Sequence, residues 1–420
     1  MTSRAETPPP EMDLRSVREQ FPALERSVDG KAALYLDGPA GSQVPLRVAQ
    51  AVQQYLVGPN ANEGGFFATS LETGAVVEDA RKLLSTLLGA PEAQGLIFGA
   101  NMTSLCFALS RALSRTWHEG DEVLVTSSEH DANYTPWVLA AERAQARVRT
   151  VALSGRDGRL DLDDLYSKLN ERTQLVAVGL ASNATGTVHP VQAITEAAHQ
   201  VGAQVFVDAV HYAPHRLVDI ERIGCDYLAA SVYKFFGPHV GVLWGRPELL
   251  AELPTDAVRP ADYPGPGRWM TGTQNLEGIA GAAEAVRYLA SLGSGADDAP
   301  LRLRLQRAFQ AIEQHEGRLV QRFLEGLDSQ PDFEVIGITE VDELDDRVPT
   351  ISLIHRHLSP EQMARQLAAQ GIFVWSGNHY ALPLTQALDL EPSGTLRIGF
   401  LHYNTEGEVD RLLTALDSLS

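Results

Sequence analysis

An acid and an amine close two short apolar runs of this chain. Val205-Phe206-Val207 ends in Asp208, and Tyr227-Leu228-Ala229-Ala230-Ser231-Val232-Tyr233 leads to Lys234. Both runs have the composition of buried strands. Ligands of open α/β sheets sit outside the carboxyl ends of the strands, so both groups would project into one crevice. The apolar flanks, Phe235-Phe236 included, would penalise each charge unless it is paired. Three further strand ends carry polar groups: Asn101 in Gly99-Ala100-Asn101-Met102-Thr103-Ser104, His130 in Ser128-Glu129-His130-Asp131-Ala132-Asn133, and Asn183 in Ser182-Asn183-Ala184-Thr185-Gly186-Thr187. A helix start of small residues presents N–H groups to an anion, although an ordinary N-cap uses the same residues. An imidazole can stack on a planar ligand or move a proton, and the Asn183 amide serves either a ligand or a turn. Taken together, the five strand ends suit one face of a phosphorylated aromatic ligand.

The elements that would position these groups alternate along the chain. Strand-like runs at Gly95–Phe98, Glu122–Val125, Arg147–Val151, Gln174–Leu180, Gln204–Val207, Asp226–Ala230 and Val240–Trp244 are interleaved with helical spacing at Thr103–Ser114, Tyr134–Ala144, Leu162–Leu169 and Val191–Val201. This is the pattern of βαβ units, predicting an α/β fold with a mostly parallel, doubly wound sheet. Leu34–Asp37 reads as a short strand, Asn60–Thr69 as a glycine-bearing loop and Gly74–Leu88 as a helix. Beyond helices at Leu276–Leu292 and Leu301–Leu327, the pattern predicts a smaller α+β domain with strands near Phe333–Ile336, Thr350–Leu353, Ile372–Val374 and Thr395–Ile398. The expected division is an N-terminal arm over 1–30, a large α/β domain over 31–292 and a small C-terminal α+β domain over 293–420.

Composition narrows the function classes. With 420 residues, 44% of them apolar, the chain can bury a large core. A formal charge of −20 argues against nucleic acid or an anionic membrane as partner. No apolar run has the length of a membrane span, and Met1–Met12 holds prolines where a signal peptide needs an apolar region. The two cysteines, Cys106 and Cys225, lie in apolar surroundings, which favours packing roles over a disulfide or a metal site and points to a reducing, cytoplasmic setting.

As an ordered set, Tyr35-Leu36-Asp37, Ser-Glu-His130, Ser-Asn183-x-x-Gly-Thr, Val-Asp208, Ser231-x-x-Lys234-x-x-Gly-Pro238, Thr271-Gly272-Thr273, Arg397 and Tyr403-Asn404-Thr405 resemble the class V aminotransferase family of fold-type I pyridoxal-phosphate enzymes, specifically its cysteine desulfurases and selenocysteine lyases. The resemblance covers nearly the whole chain. It implies that pyridoxal 5'-phosphate is held as a Schiff base on Lys234, with Asp208 on the pyridine nitrogen and His130 stacked on the ring. It also places Asn183 and His211 at the phenolic oxygen, and Asn101, Met102, Thr103, Ser231 and Tyr233 around the phosphate. Thr273 would reach the phosphate from the second subunit of a homodimer whose active site lies at the interface. Arg397 would hold the carboxylate of a small amino-acid substrate.

One departure bears on the reaction. Where the desulfurases carry their persulfide-forming cysteine, this chain reads Trp375-Ser376-Gly377-Asn378-His379-Tyr380-Ala381-Leu382-Pro383, with Tyr380 at the nucleophile position. Tyr233 and His211 likewise replace the histidine and glutamine usual there. The expected activity is therefore C–S or C–Se β-elimination without a persulfide cysteine, with Tyr380 next to the substrate as an acid or as a wall. An aminotransferase or amino-acid epimerase is the alternative, and a catalytically silent binding or assembly module is the alternative of a different class. Retention of Lys234, Asp208 and Arg397 speaks against the last.

Overall fold

In the computed structural model, which describes residues 12–261, 265–293 and 298–419, three main cores and a smaller cluster around Leu384 pack against two main sheets. The proline-bearing tail and half of the acidic break after Leu292 lie outside the described residues. The strands in chain order are β1 (Ser27–Val28), β2 (Lys31–Ala32), β3 (Leu34–Tyr35), β4 (Leu96–Gly99), β5 (Glu122–Thr126), β6 (Arg147–Val151), β7 (Thr173–Gly179), β8 (Gln204–Asp208), β9 (Tyr227–Ser231), β10 (Gly241–Gly245), β11 (Phe333–Ile336), β12 (Thr350–His355), β13 (Ile372–Phe373), β14 (Trp375–Gly377) and β15 (Thr395–Gly399).

The seven-stranded sheet has the order β4-β10-β9-β8-β7-β5-β6, and β10 alone runs antiparallel to its neighbours. Its strands other than the edge strand β6 are buried on both faces because helices cover both. Alternation sorts the side chains. Val176, Val178, Val205, Val207, Leu228 and Ala230 enter one core, while Leu175, Ala177, Phe206, Tyr227 and Ala229 enter the other. The parallel strands thus bring the ends of β4, β5, β7, β8 and β9 to one edge, with Gly179 paired to Asp208 and Asp208 to Ala229.

The second sheet, β11-β12-β15-β14, is antiparallel throughout. Its core is shared with the helices Leu301–Leu327, Pro360–Ala368 and Glu406–Asp417. Leu34 and Leu36 also pack there, because β3 pairs in parallel with β13. The sequence reading missed β14, whose three half-exposed residues have no apolar period. It also started the second long helix at Gly74, whereas that helix begins at Ala68. Gly74 is an interior helical residue with open space around it. Among the described residues no helix is long and apolar enough to cross a membrane.

Gly186 joins the two sheets. Its O accepts from the Val348 N–H at 2.8 Å, and a Cβ at its φ of +80° would sit 2.6 Å from both Val348 O and Thr350 O. Gly202 has nearly the same φ, +81°, but open space around it. Gly202→Ala should cost about 1–2 kcal/mol, the penalty of a left-handed L-residue, whereas Gly186→Ala should cost about 2–4 kcal/mol because backbone must also move. Chemical denaturation of the two variants checks this; equal midpoints would contradict it.

Candidate active site

Asp208 ends β8, and Lys234 ends the single 3₁₀ turn Val232–Lys234 that follows β9. The lysine turn is held by the Gly38–Ser42 segment. The Ser42 N–H donates to Tyr233 O at 3.2 Å, Ser42 Oγ accepts from the Phe236 N–H at 2.8 Å, and Lys234 Nζ donates to Pro39 O. Gly41 allows this contact, since a Cβ there would meet the Tyr233 ring at 3.2 Å. Burial pushes the Asp208 carboxyl up to about 6, opposed by a hydrogen bond from the Val210 N–H at 2.8 Å and by Lys234. Burial brings the Lys234 amine down to about 7; Arg397 lowers it further, and Asp208 acts in the opposite direction.

His130 starts the turn after β5. Its Nδ1 accepts from the Ala132 N–H at 3.0 Å, and burial, with Lys234 and Arg397 nearby, lowers it to about 4. It is therefore neutral at pH 7, and since Nδ1 accepts, its proton sits on Nε2. Asn101 caps the helix Met102–Leu113 by accepting from the Ser104 N–H at 2.9 Å, while the Met102 N–H donates to Ser231 Oγ at 3.0 Å. Gly241 lets this helix start sit against the sheet, because a Cβ there would lie 2.4 Å from the Asn101 backbone. Met102, Thr103, Ser231 and Tyr233 line one cavity with Asp208, Lys234, His130, Asn183 and His211. His211 Nε2 lies 2.9 Å from Thr350 Oγ1, and burial holds its ring well below the usual histidine range.

The C-terminal sheet closes the other side. Arg397 on β15 donates from Nη1 to Asn183 O at 2.9 Å, and Asn183 Nδ2 donates to His379 O at 2.8 Å. Arg397 Nε and Asn183 Oδ1 are buried and have no hydrogen-bond partner among the described residues. Tyr380 stacks on His130, with centroids 5.5 Å apart and rings 24° from parallel, and its O accepts from the Asp131 N–H at 2.6 Å. Arg397, Tyr380 and Trp375 line a cleft of about 700 Å³ that shares Thr103, His130, Asn183, Tyr233 and Lys234 with the inner cavity. Thr273 is exposed and does not line either space of its own chain.

Glu129 was missed in the sequence because it reads as a polar loop residue. It is buried on the inner cavity wall and accepts from Thr126 Oγ1 at 2.6 Å, Asn133 Nδ2 at 2.6 Å and the Gly179 N–H at 3.0 Å. Burial pushes it up to about 8 against those bonds. Behind His211, His215 Nδ1 meets Glu316 Oε2 at 2.9 Å in a second buried pair with no local sequence signal.

This donor set fits an aromatic aldehyde phosphate. It offers a buried carboxylate, a poorly solvated amine, a neutral imidazole, a helix start, and unmet capacity on Asn183 and Arg397. Lys234 is protonated below about pH 7 and neutral above it, and only the neutral amine attacks an aldehyde. The rate at which cofactor-free protein takes up pyridoxal 5'-phosphate should rise through about pH 7 and level off, whereas an ordinary lysine would keep gaining to about pH 10. Stopped-flow absorbance checks this; a rate still climbing well above pH 8 would contradict it.

The aminotransferase class-V family model matches residues 34–412. A probable cysteine desulfurase of Streptomyces coelicolor is 33% identical, with 97% of each chain covered, and one of Vibrio cholerae is 31% identical over 96% of this chain and 98% of its own. Among solved structures, the apo cysteine desulfurase of Thermococcus onnurineus superposes with a TM-score of 0.85 at 26% identity, covering 98% of this chain and 99% of that one. A cysteine desulfurase of Escherichia coli gives 0.82 at 27%, covering 97% and 98%. Strand-end chemistry, fold and relatives agree: the chain belongs to the class-V aminotransferase family and is a pyridoxal-phosphate-dependent enzyme of fold type I with cysteine desulfurases among its relatives.

Proposed function

We propose that this enzyme is a C–S (or C–Se) lyase that removes the β-substituent of a cysteine-like amino acid without passing sulfur to a protein thiol. The observation that carries the reading is the burial of both cysteines. Cys106 and Cys225 are inaccessible, and burial pushes both thiols up, Cys106 with help from Asp208. A sulfur acceptor needs an accessible thiolate. The loop lining the cleft offers Tyr380 instead.

Pyridoxal phosphate, when bound, supplies an electron-accepting ring that stabilises negative charge at the substrate Cα. In this reading Asp208, whose Oδ1 is engaged by the Val210 N–H, would hold the ring nitrogen and keep it protonated. Lys234 holds the cofactor, and its Nζ then takes the Cα proton, for which an amine neutral near pH 7 is suited. His130 would cover the ring face, while Asn183 and His211 would face the phenolic oxygen. Asn101, Met102, Thr103, Ser231 and Tyr233 would hold the phosphate. Arg397 binds the substrate carboxylate with the capacity that Asn183 O leaves free. Thr273, exposed in its own chain, would complete the phosphate site of a second copy in a homodimer. Two buried free thiols suit a cytoplasmic setting.

With L-cysteine the loaded enzyme should release sulfide, pyruvate and ammonium in equal amounts, with no sulfane sulfur left on the protein. Alanine as product, together with cyanide-labile sulfur on the chain, would overturn the reading. Turnover that requires a keto acid, or exchange of the α-proton without sulfide, would favour transamination or epimerisation.

A further inference from the structure

The cleft beyond the inner cavity holds about 700 Å³, part of which the cofactor and the amino-acid backbone of a substrate would take beside Lys234, Asn183 and Arg397. Once the carboxylate is on Arg397 and the amine above Lys234, the wall that remains includes Phe107, Trp375 and Tyr380. Trp375 is 54% exposed and Tyr380 72% exposed, while the other four tryptophans of the chain are buried. The Trp375 ring and the Tyr380 face turned away from His130 are apolar surface left open at the cleft wall, suited to a planar occupant.

The backbone at this wall is not relaxed. His379 and Tyr380 have φ of +56° and +58°, and consecutive non-glycine residues in the left-handed region are costly. Hydrogen bonds hold the turn from both sides: Asn183 Nδ2 to His379 O at 2.8 Å, the Asp131 N–H to Tyr380 O at 2.6 Å, and His379 Nε2 with Thr395 Oγ1 at 3.1 Å. The strain therefore has a structural outcome. It keeps the Tyr380 ring out of the core, stacked on His130 and presented to the cleft.

We propose that the substrate is a cysteine thioether whose sulfur carries an aromatic group, seated against Trp375 and Tyr380. This deepens the C–S lyase reading and rests on it. Lys234 Nζ takes the Cα proton, and the Cβ–S bond breaks with its electron pair going to sulfur. Water then converts the three-carbon remainder to pyruvate and ammonium. No oxidant or reductant enters. An arenethiolate is stable enough to leave without a proton from the protein, which suits a site where His130 is neutral and no cysteine reaches the cleft.

The test uses the cofactor-loaded enzyme with S-phenyl-L-cysteine, L-cysteine and L-alanine. Binding is read from the cofactor absorbance and from protection of Trp375 emission against acrylamide. S-phenyl-L-cysteine should bind at least about tenfold more tightly than L-cysteine, from stacking on two rings, and should shield Trp375. Its turnover should give thiophenol and pyruvate one to one. Trp375→Ala and Tyr380→Ala, both at exposed positions, should each bring the ratio of the two affinities towards one. Equal affinities in the parent enzyme, or a Trp375 that stays open to acrylamide under saturating S-phenyl-L-cysteine, would overturn the aromatic assignment while leaving the lyase reading standing. Tight binding of the thioether with no thiophenol released, together with no sulfide released from L-cysteine, would overturn the lyase reading and this inference with it.

Discussion

Two groups that water would keep fully charged are held away from it, and the site is organised around that constraint. Asp208 and Lys234 follow adjacent parallel strands, and burial draws the acid up to about 6 and the amine down to about 7. Each is thereby poised to change protonation near neutral pH. The sheet register sets their neighbours. Gly179 lies opposite Asp208, and its N–H ties Glu129, the residue before His130, to the same edge.

The C-terminal sheet matters as much as the strand ends. Thr350 meets His211, Arg397 holds Asn183 O, Asn183 in turn holds His379 O, and Asp131 holds Tyr380 O. Residues far apart in sequence therefore share one hydrogen-bonded wall. Burial also lowers the Arg397 guanidinium to about 10, and this buried cation depresses both Lys234 and His130. An anion placed on Arg397 would offset part of that field and raise the proton affinity of Lys234.

Much of this was legible in the sequence. The strands of the large sheet are short apolar runs that stop at polar residues, and those stops are where the site residues stand. Of the five strand-end groups, His130, Asn183, Asp208 and Lys234 line one cavity, while Asn101 is exposed and caps its helix beside it. Arg397 was placed by resemblance alone, and the fold brings it to the cleft through β15. What escaped the sequence has a common cause. Glu129 is bonded to the nearby Thr126 and Asn133, but it is tied to the sheet edge through the distant Gly179, and the His215–Glu316 pair likewise spans distant segments. β14 is a half-exposed edge strand, where no apolar period is required. The left-handed turn at His379 and Tyr380 uses residues that do not normally announce one.

The account stands or falls on which amine carries the cofactor, and the chain has only Lys31, Lys82, Lys168 and Lys234 to choose from. Borohydride reduction of the loaded enzyme, followed by digestion and peptide mass spectrometry, reads this directly. The predicted result is the reduced cofactor mass on the Lys234 peptide and on no other. Cofactor fixed at another lysine, or a Lys234 peptide left unmodified in protein saturated with cofactor, would contradict the central claim.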